Sequence, residues 1–271
     1  MTLKPSVVKI KINETLTIGK DPLIIGGPCS IEDRKNAVAI ANAIKNKVNM
    51  FRGGAFKPRT HAMSFQGLGV YGLDILKGIK EETGSPVISE VLDIRHLDEA
   101  CRVLDVIQIG ARNMYNYPLL KEAGQTHKPI LLKRGLSATL DEWLGASEYI
   151  EQGFNGDFPP IIFCERGIRT CCNDKNILDL NTVSEIVNDR HYYPIIIDPS
   201  HGTNDAGIVH NMALAGIFAG ADGVMMEIHN DPKNALSDNE QQLSLDEADL
   251  VLDDINEAFK LSRRFRYGFI Q

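Results

Sequence analysis

LIIGGPC, from Leu23 to Cys29, is the first of eight short apolar runs that decide the fold of this chain. The others are MFRGGAF (Met50 to Phe56), PVISEV (Pro86 to Val91), VIQIGAR (Val106 to Arg112), PILLKRG (Pro129 to Gly135), IIFCERG (Ile161 to Gly167), PIIIDPSH (Pro194 to His201) and GVMMEIH (Gly223 to His229). Continuous apolar runs are typical of strands buried on both faces of a parallel sheet. Each run leaves room for a helix after it. The sequence therefore predicts an α/β fold, a (β/α)8 (TIM) barrel whose chemistry lies at the C-terminal ends of the strands.

Amphipathic stretches fill the spaces between the runs. Ser30 to Lys47, for example, starts with a candidate N-cap serine and continues with an apolar stripe. Before the first run, two segments of period two flank Asn13-Glu14 and predict a short β-hairpin that caps the bottom of the barrel. We expect a single catalytic domain over residues 1–271, with the hairpin extension in 1–22 and the barrel in about 23–264.

Composition excludes several classes of partner. The chain has 36 acidic and 29 basic side chains and a net charge of -7, whereas nonspecific nucleic-acid binding usually needs a basic surface. The sequence has no apolar run of about 18 residues and no signal-peptide pattern, so we expect a cytoplasmic protein with no membrane partner. Five cysteines are an odd count, which favours metal-binding or buried roles over a disulfide framework.

Four residues that can bind a metal lie at neighbouring strand ends. Cys29, His201 and Glu227 close the first, seventh and eighth runs, and Asp238 follows in the last loop. In a closed barrel these ends are neighbours around the mouth. One thiolate, one imidazole and two carboxylates suit one divalent metal ion such as Mn²⁺, Fe²⁺, Co²⁺ or Zn²⁺, and the sequence does not choose among them.

Cations also collect at or just past the predicted strand ends. They are Arg52, Lys57, Arg59, Arg112, Lys133, Arg134, Arg166 and Arg169. Guanidinium groups hold phosphate or carboxylate through paired hydrogen bonds, and lysine supplies a point charge. In a chain that is acidic overall, this local ring predicts a small substrate with more than one phosphate or carboxylate.

A set of motifs spread over roughly Ile24 to Leu245 extends this interpretation. The motifs are GGPCSIED, FRGGAFKPRT, FQGLG, SEVLD, IGARNM, LLKRGLSATLDEW, CERGIRT, DPSHGT, MEIHNDP and SDNEQQL. In this order they resemble the type I-beta branch of the 3-deoxy-D-arabino-heptulosonate-7-phosphate (DAHP) synthases. The resemblance implies a metal-dependent condensation of phosphoenolpyruvate with erythrose 4-phosphate and water. The products would be DAHP and phosphate, in the first step of the shikimate pathway. It also implies a homodimer or homotetramer.

The resemblance assigns roles motif by motif. The family's metal ligands match Cys29, His201, Glu227 and Asp238. Its phosphoenolpyruvate-binding cations match Arg52, Lys57, Arg112, Lys133 and Arg166, and its aldose-phosphate segment matches Lys57, Pro58, Arg59 and Thr60. The catalytic assignment is Lys57, His201 and Cys29, with Lys57 as the candidate proton donor to the aldehyde oxygen. Glu165 is a further candidate proton relay.

The chain departs from the family pattern in two loops. Gly202 to Asp205 brings an acid into a loop that usually carries basic residues, and the sixth loop contains the vicinal pair Cys171-Cys172. About 22 residues precede the barrel and 7 follow it. Such segments are too short for a separate ligand-binding core, so we expect insensitivity to aromatic amino acids, chorismate and prephenate.

Three alternatives stay open. A 3-deoxy-D-manno-octulosonate-8-phosphate synthase would use arabinose 5-phosphate, but that family resembles Lys-Ala-Asn-Arg-Ser where this chain has Lys57-Pro58-Arg59-Thr60. A Schiff-base aldolase would use Lys133 as its nucleophile. That mechanism would not account for the four candidate metal ligands. A non-catalytic sugar-phosphate sensor usually lacks a ligand or key cation, and this sequence retains them.

Overall fold

Eight parallel strands close into a barrel in the computed structural model, which describes residues 8–170, 175–190 and 193–268. The strands are β3 (Leu23–Gly27), β4 (Met50–Arg52), β5 (Val87–Glu90), β6 (Val106–Ile109), β7 (Ile130–Lys133), β8 (Ile161–Glu165), β9 (Ile195–Ile197) and β10 (Gly223–Glu227). Each strand pairs with the next in parallel, and β10 pairs with β3 to close the ring. The predicted (β/α)8 barrel is confirmed.

Helices follow the strands on the outside of the barrel. They are α1 (Arg34–Ile44), α2 (Val70–Thr83), α3 (Leu97–Val103), α4 (Tyr117–Gln125), α5 (Leu140–Gly153), α6 (Leu180–Glu185), α7 (Pro199–Thr203), α8 (Ala206–Ala219) and α9 (Leu245–Gly268). No helix in the described part of the chain is both long and apolar enough to cross a bilayer.

The first helix begins later than the sequence predicts. Asp33, and not Ser30, is the N-cap of α1, and its carboxylate accepts from the backbone N–H of Asn36 at 2.8 Å. The Ser30 prediction is wrong because its hydroxyl is bonded to the Ser237 hydroxyl at 2.7 Å. Ser30 therefore joins the first and last loops at the barrel mouth.

A short helix replaces the end of the seventh predicted strand. The strand ends at Ile197, and α7 starts at Pro199, whose fixed φ suits the first turn of a helix. Asp198 is the N-cap and accepts from the backbone N–H of His201 at 3.0 Å. His201 thus lies on a capped helical turn rather than on a strand.

The predicted hairpin covers the bottom of the barrel. Strand β1 (Ile10–Lys11) pairs antiparallel with β2 (Thr17–Ile18), around the turn at Asn13 and Glu14. Ile10, Leu16 and Ile18 are buried against the residues that fill the barrel interior, including Leu23 and Met50. The prediction of a bottom cap is confirmed, and it leaves the opposite end of the barrel as the open one.

Candidate active site

Alternation of side chains along the strands places polar residues in the barrel interior near the C-terminal ends of the strands. Successive strand residues face opposite sides, so residues two apart share a face. The interior residue Met50 of β4 is followed two positions later by Arg52. The same step leads from Ile88 to Glu90, from Val106 to Gln108, from Leu131 to Lys133, from Cys164 to Arg166 and from Met225 to Glu227. An apolar plug therefore lies below a layer of charged and amide groups.

Three of the four predicted metal ligands converge in this layer. The ligand atoms of Cys29, Glu227 and Asp238 all lie within 4.8 Å of one another. Asp238 reaches the cluster from a backbone with φ 46°, in the left-handed region. His201 stands beside the cluster, with Nε2 3.5 Å from Oε1 of Glu227. The structure thus brings thiol, carboxylate and imidazole donors to one place.

Two cations contact these candidate ligands directly. Arg52 donates from Nη1 to Glu227 and from Nη2 to the carbonyl of Cys29 at 3.0 Å. Nζ of Lys57 lies 2.9 Å from Sγ of Cys29 and 3.6 Å from Oδ2 of Asp238. The carboxylates are therefore neutralised by side chains of the same layer.

Burial and charge set the ionisation of the cluster. Burial raises the pKa of the Cys29 thiol well above its ordinary value, and the charge of Glu227 adds to this effect. Burial opposes ionisation of Asp238 and Glu227, but nearby cations, among them Lys57 and His201, lower the pKa of both carboxyls overall. A bound divalent cation would deprotonate the thiol.

The donor set fits a divalent metal ion. Three converging donors with an imidazole beside them are the mixed ligand types that suit Mn²⁺, Fe²⁺, Co²⁺ or Zn²⁺. The second nitrogen of His201, Nδ1, lies 2.8 Å from Oδ2 of Asp198, which fixes the orientation of the ring. Asp198 also accepts from Nζ of Lys133 at 2.5 Å, so one buried carboxylate orients both residues.

A cavity of about 430 Å³ opens over this layer at the C-terminal ends of the strands. Its lining includes ten of the twelve residues to which the family resemblance assigns a role: Arg52, Lys57, Pro58, Arg59, Thr60, Arg112, Lys133, Arg166, His201 and Asp238. Cys29 and Glu227 are fully buried and contact the lining residues Lys57 and Arg52. The structure therefore gathers the twelve residues with an assigned role around one polar cavity.

Two residues that the sequence placed at the site face away from the cavity. Arg134 donates to Glu165 at 3.0 Å and to Asp179 at 2.9 Å, and neither Arg134 nor Glu165 lines the cavity. Both stand one position out of step with the interior residues, so they point toward the helices. The prediction that Arg134 belongs to the substrate-binding ring is wrong, and Glu165 is a structural ion-pair partner rather than a proton relay.

The cavity also contains residues that sequence reasoning missed. Glu90 and Gln108 line it, and the two-residue step from Ile88 and Val106 would have found them. Gln241 lines it from the last loop, where no periodic pattern pointed to it.

In the Gly202 to Asp205 loop, which departs from the family pattern, Asn204 lines the cavity and Asp205 does not. Asp205 pairs with Lys175 at 2.5 Å and caps α8 through the backbone N–H of Gly207, so its charge is compensated there. Cys171 and Cys172 lie outside the described residues.

Fold and site together define a class, a (β/α)8-barrel protein with a candidate metal centre and a cation-lined cavity at the C-terminal ends of its strands. Residues 7–262 match the model of the DAHP synthetase I family. This chain belongs to that family, as the motifs indicate.

Individual relatives refine the comparison. The chain is 42% identical over 225 residues to a phospho-2-dehydro-3-deoxyheptonate aldolase of Thermotoga maritima, a match that covers 82% of this chain and 65% of that protein. It therefore spans slightly less than two thirds of that relative's length. It is 30% identical over 271 residues to a 2-dehydro-3-deoxyphosphooctonate aldolase of Citrifermentans bemidjiense, covering 93% of this chain and 96% of that protein.

Solved structures agree with the fold. The crystal structure of a DAHP synthase from Thermotoga maritima superposes with a TM-score of 0.88 at 38% identity, covering 95% of this chain and 75% of that one. A truncated form of 3-deoxy-D-arabino-heptulosonate 7-phosphate synthase from the same organism gives 0.85 at 35% identity, covering 95% and 94%.

Proposed function

We propose that this protein condenses phosphoenolpyruvate with erythrose 4-phosphate and water to give DAHP and phosphate, with the help of one divalent metal ion. One observation carries the proposal. The thiol of Cys29 and the carboxylates of Glu227 and Asp238 converge within 4.8 Å, directly beside Lys57 and the cation-lined cavity. Family membership supports the same reaction.

Phosphoenolpyruvate binds among the cations of the cavity. Arg112, Lys133 and Arg166 line it, and their charges suit the phosphate and carboxylate of this substrate. Burial lowers the pKa of Arg166, yet a guanidinium stays protonated in proteins. Lys133 is held by Asp198 at 2.5 Å, so it acts as a positioned cation. A Schiff-base nucleophile needs a free amine, and this ion pair argues against that alternative.

The aldose phosphate enters over Lys57, Pro58, Arg59 and Thr60. Arg59 lies 3.3 Å from Asp238, so the phosphate of the aldose would be held close to the metal ligands. A divalent ion held by Cys29, His201, Glu227 and Asp238 would supply Lewis-acid polarisation of the aldehyde oxygen.

The bond changes are those of an aldol-type condensation. C3 of phosphoenolpyruvate attacks the aldehyde carbon, water adds at C2, and phosphate leaves with cleavage of its C–O bond. Lys57 holds the proton for the new alkoxide at Nζ. Burial by itself lowers the pKa of Lys57, but the thiol of Cys29 and the carboxylates of Glu227 and Asp238 raise it overall. Lys57 therefore enters the reaction as an ammonium group.

A second candidate function differs in the acceptor. Relatives named 2-dehydro-3-deoxyphosphooctonate aldolase cover more than nine tenths of the chain at about 30% identity. The Pro58 position and the 42% identity to a heptonate enzyme favour the four-carbon acceptor. Cellular localisation in the cytoplasm and assembly as a homodimer or homotetramer stay part of the proposal.

Product analysis tests the proposal. The purified protein is treated with a chelator, dialysed, and incubated with phosphoenolpyruvate and erythrose 4-phosphate, with and without added Mn²⁺, Co²⁺ or Zn²⁺. We expect equal amounts of phosphate and a seven-carbon keto acid phosphate by mass spectrometry, in the metal-containing samples. Phosphate release without the condensed product, or no reaction with any of these metals, would contradict it.

A further inference from the structure

Two adjacent glutamines connect the three segments that carry the candidate metal ligands. Gln241 and Gln242 follow Asp238 in the last loop, and both are buried, at 5% and 2% exposure. Leu243, next in the chain, bonds through its backbone to the carbonyl of Glu227 at 2.9 Å. The segment therefore lies beside the end of β10, where neighbouring side chains point to opposite sides.

Gln241 contacts the carboxylate of Glu227. Its Nε2 donates to Oε2 at 2.6 Å, while Oε1 of the same carboxylate accepts from Arg52 and faces Nε2 of His201 at 3.5 Å. The two oxygens are therefore held by different partners. Because Gln241 holds Oε2, it sets the rotation of the carboxylate that directs Oε1 toward the ligand cluster.

Gln242 contacts the backbone on either side of the cluster. Its Oε1 accepts from the backbone N–H of Cys29 at 2.9 Å, and its Nε2 donates to the carbonyl of Ser237 at 2.9 Å. Ser237 immediately precedes Asp238, whose left-handed backbone needs support from its surroundings. One amide thus ties the Cys29 loop to the Asp238 loop.

We propose that Gln241 and Gln242 are positioning residues that preorganise the metal centre. Gln241 sets the orientation of Glu227, and Gln242 sets the spacing between Cys29 and Asp238. This inference rests on the metal site of the proposed function, and it adds residues that act through the ligands. Residues that orient metal ligands typically contribute about 10- to 100-fold to metal affinity.

The test compares Gln241→Met and Gln242→Met with Gln108→Met. Gln108 is a buried glutamine that lines the same cavity, and its amide lies nearest to Glu90 rather than to a candidate ligand. Co²⁺ is titrated calorimetrically into each metal-free protein without substrates. The visible and near-ultraviolet absorption of the Co²⁺ forms is recorded, and thermal unfolding of the metal-free proteins checks the fold.

We expect Gln241→Met and Gln242→Met to weaken Co²⁺ binding about 10- to 100-fold, and Gln108→Met to bind within about twofold of the wild type. Gln242→Met should also reduce the thiolate-to-cobalt band, whereas Gln241→Met should alter the visible bands and retain the thiolate band. If Gln242→Met does not fold, Co²⁺ binding by Gln241→Met alone decides the outcome.

Wild-type affinity and spectrum in folded Gln241→Met would overturn the inference, and so would a wild-type protein that does not bind Co²⁺. If wild type binds Co²⁺ with the expected spectrum and yet does not condense the substrates, the proposed function fails while the positioning role stands.

Discussion

The two-residue periodicity of each strand decides which side chains face the cavity and which face the surrounding helices. Lys133 and Arg134 are neighbours in sequence, but Lys133 lines the cavity and Arg134 is enclosed by Glu165 and Asp179. Among the cations at the ends of β7 and β8, those that can meet a substrate are therefore the ones in step with the interior plug.

Arg166 and Arg134 should respond differently to replacement by methionine. Arg166→Met removes a cavity cation, so kcat/KM for phosphoenolpyruvate should fall at least about tenfold, or 1.4 kcal/mol, with little change in Tm. Arg134→Met leaves buried Glu165 without its cation, so it should destabilise the fold by about 3 to 5 kcal/mol. Steady-state kinetics and denaturant unfolding measure the two effects. A stable Arg134→Met enzyme with a selective defect in phosphoenolpyruvate binding would contradict this division.

Cys29→Ala should abolish activity, because it removes a donor from the buried cluster. Cys101→Ala is the matched control, since Cys101 lies in α3 and contacts none of the candidate ligands among the described residues. We expect Cys29→Ala to lose at least about 100-fold in kcat at moderate metal concentration and Cys101→Ala to match wild type. Full turnover by Cys29→Ala would show that the Cys29 thiol is not a ligand of the metal centre.

The sequence predicts the members of the site better than their contacts. The positions of Cys29, Glu227 and Asp238 follow from strand ends and motif, because barrel topology brings these ends together. The sequence misplaces Arg134, because proximity to a strand end does not specify which side a residue faces. The glutamine contacts could not be predicted, since they depend on the three-dimensional path of the last loop.

The boundaries of the helices depend on partners that are distant in sequence. Ser30 has the residue type of an N-cap, but Ser237 occupies its hydroxyl, and the helix starts after Asp33. The helix α7 interrupts an apolar run because Asp198 caps it and Pro199 begins it. Local preference therefore predicts which elements exist, and tertiary contacts decide where they start.

The hairpin should contribute to stability rather than to chemistry. Ile18 is fully buried at the bottom of the barrel, whereas Leu250 of α9 is 70% exposed. Ile18→Ala should destabilise the protein by about 2 to 5 kcal/mol, and Leu250→Ala by less than about 0.5 kcal/mol. Chemical denaturation measures both. Reduced kcat in Ile18→Ala without a loss of stability would show that the hairpin influences the distant barrel mouth.

The barrel has a closed apolar end and an open polar end. The hairpin and the interior plug bury the lower half, while ion pairs such as Arg52 with Glu227 neutralise the upper layer. The fold therefore does not need a metal to compensate its buried carboxylates.

Metal removal should stop the reaction without unfolding the protein. A chelator should abolish activity reversibly, and circular dichroism should retain the native spectrum. The Tm should decrease modestly, because a ligand that binds the folded state stabilises it according to its concentration and affinity. Unfolding on chelation would show that the ion is a structural element, and unchanged turnover would show that the reaction does not use it.

The ratio of kcat/KM for erythrose 4-phosphate to that for arabinose 5-phosphate tests the proposed activity most directly. It is measured on one metal-loaded preparation by following the loss of phosphoenolpyruvate absorbance. Pro58 restricts the backbone of the proposed acceptor segment, and Nη1 of Arg59 lies 3.3 Å from Oδ1 of Asp238, so we expect the site to favour a short aldose phosphate. We predict a ratio above about tenfold, equivalent to about 1.4 kcal/mol of transition-state preference. Equal efficiency, or a preference for the pentose, would contradict the assignment.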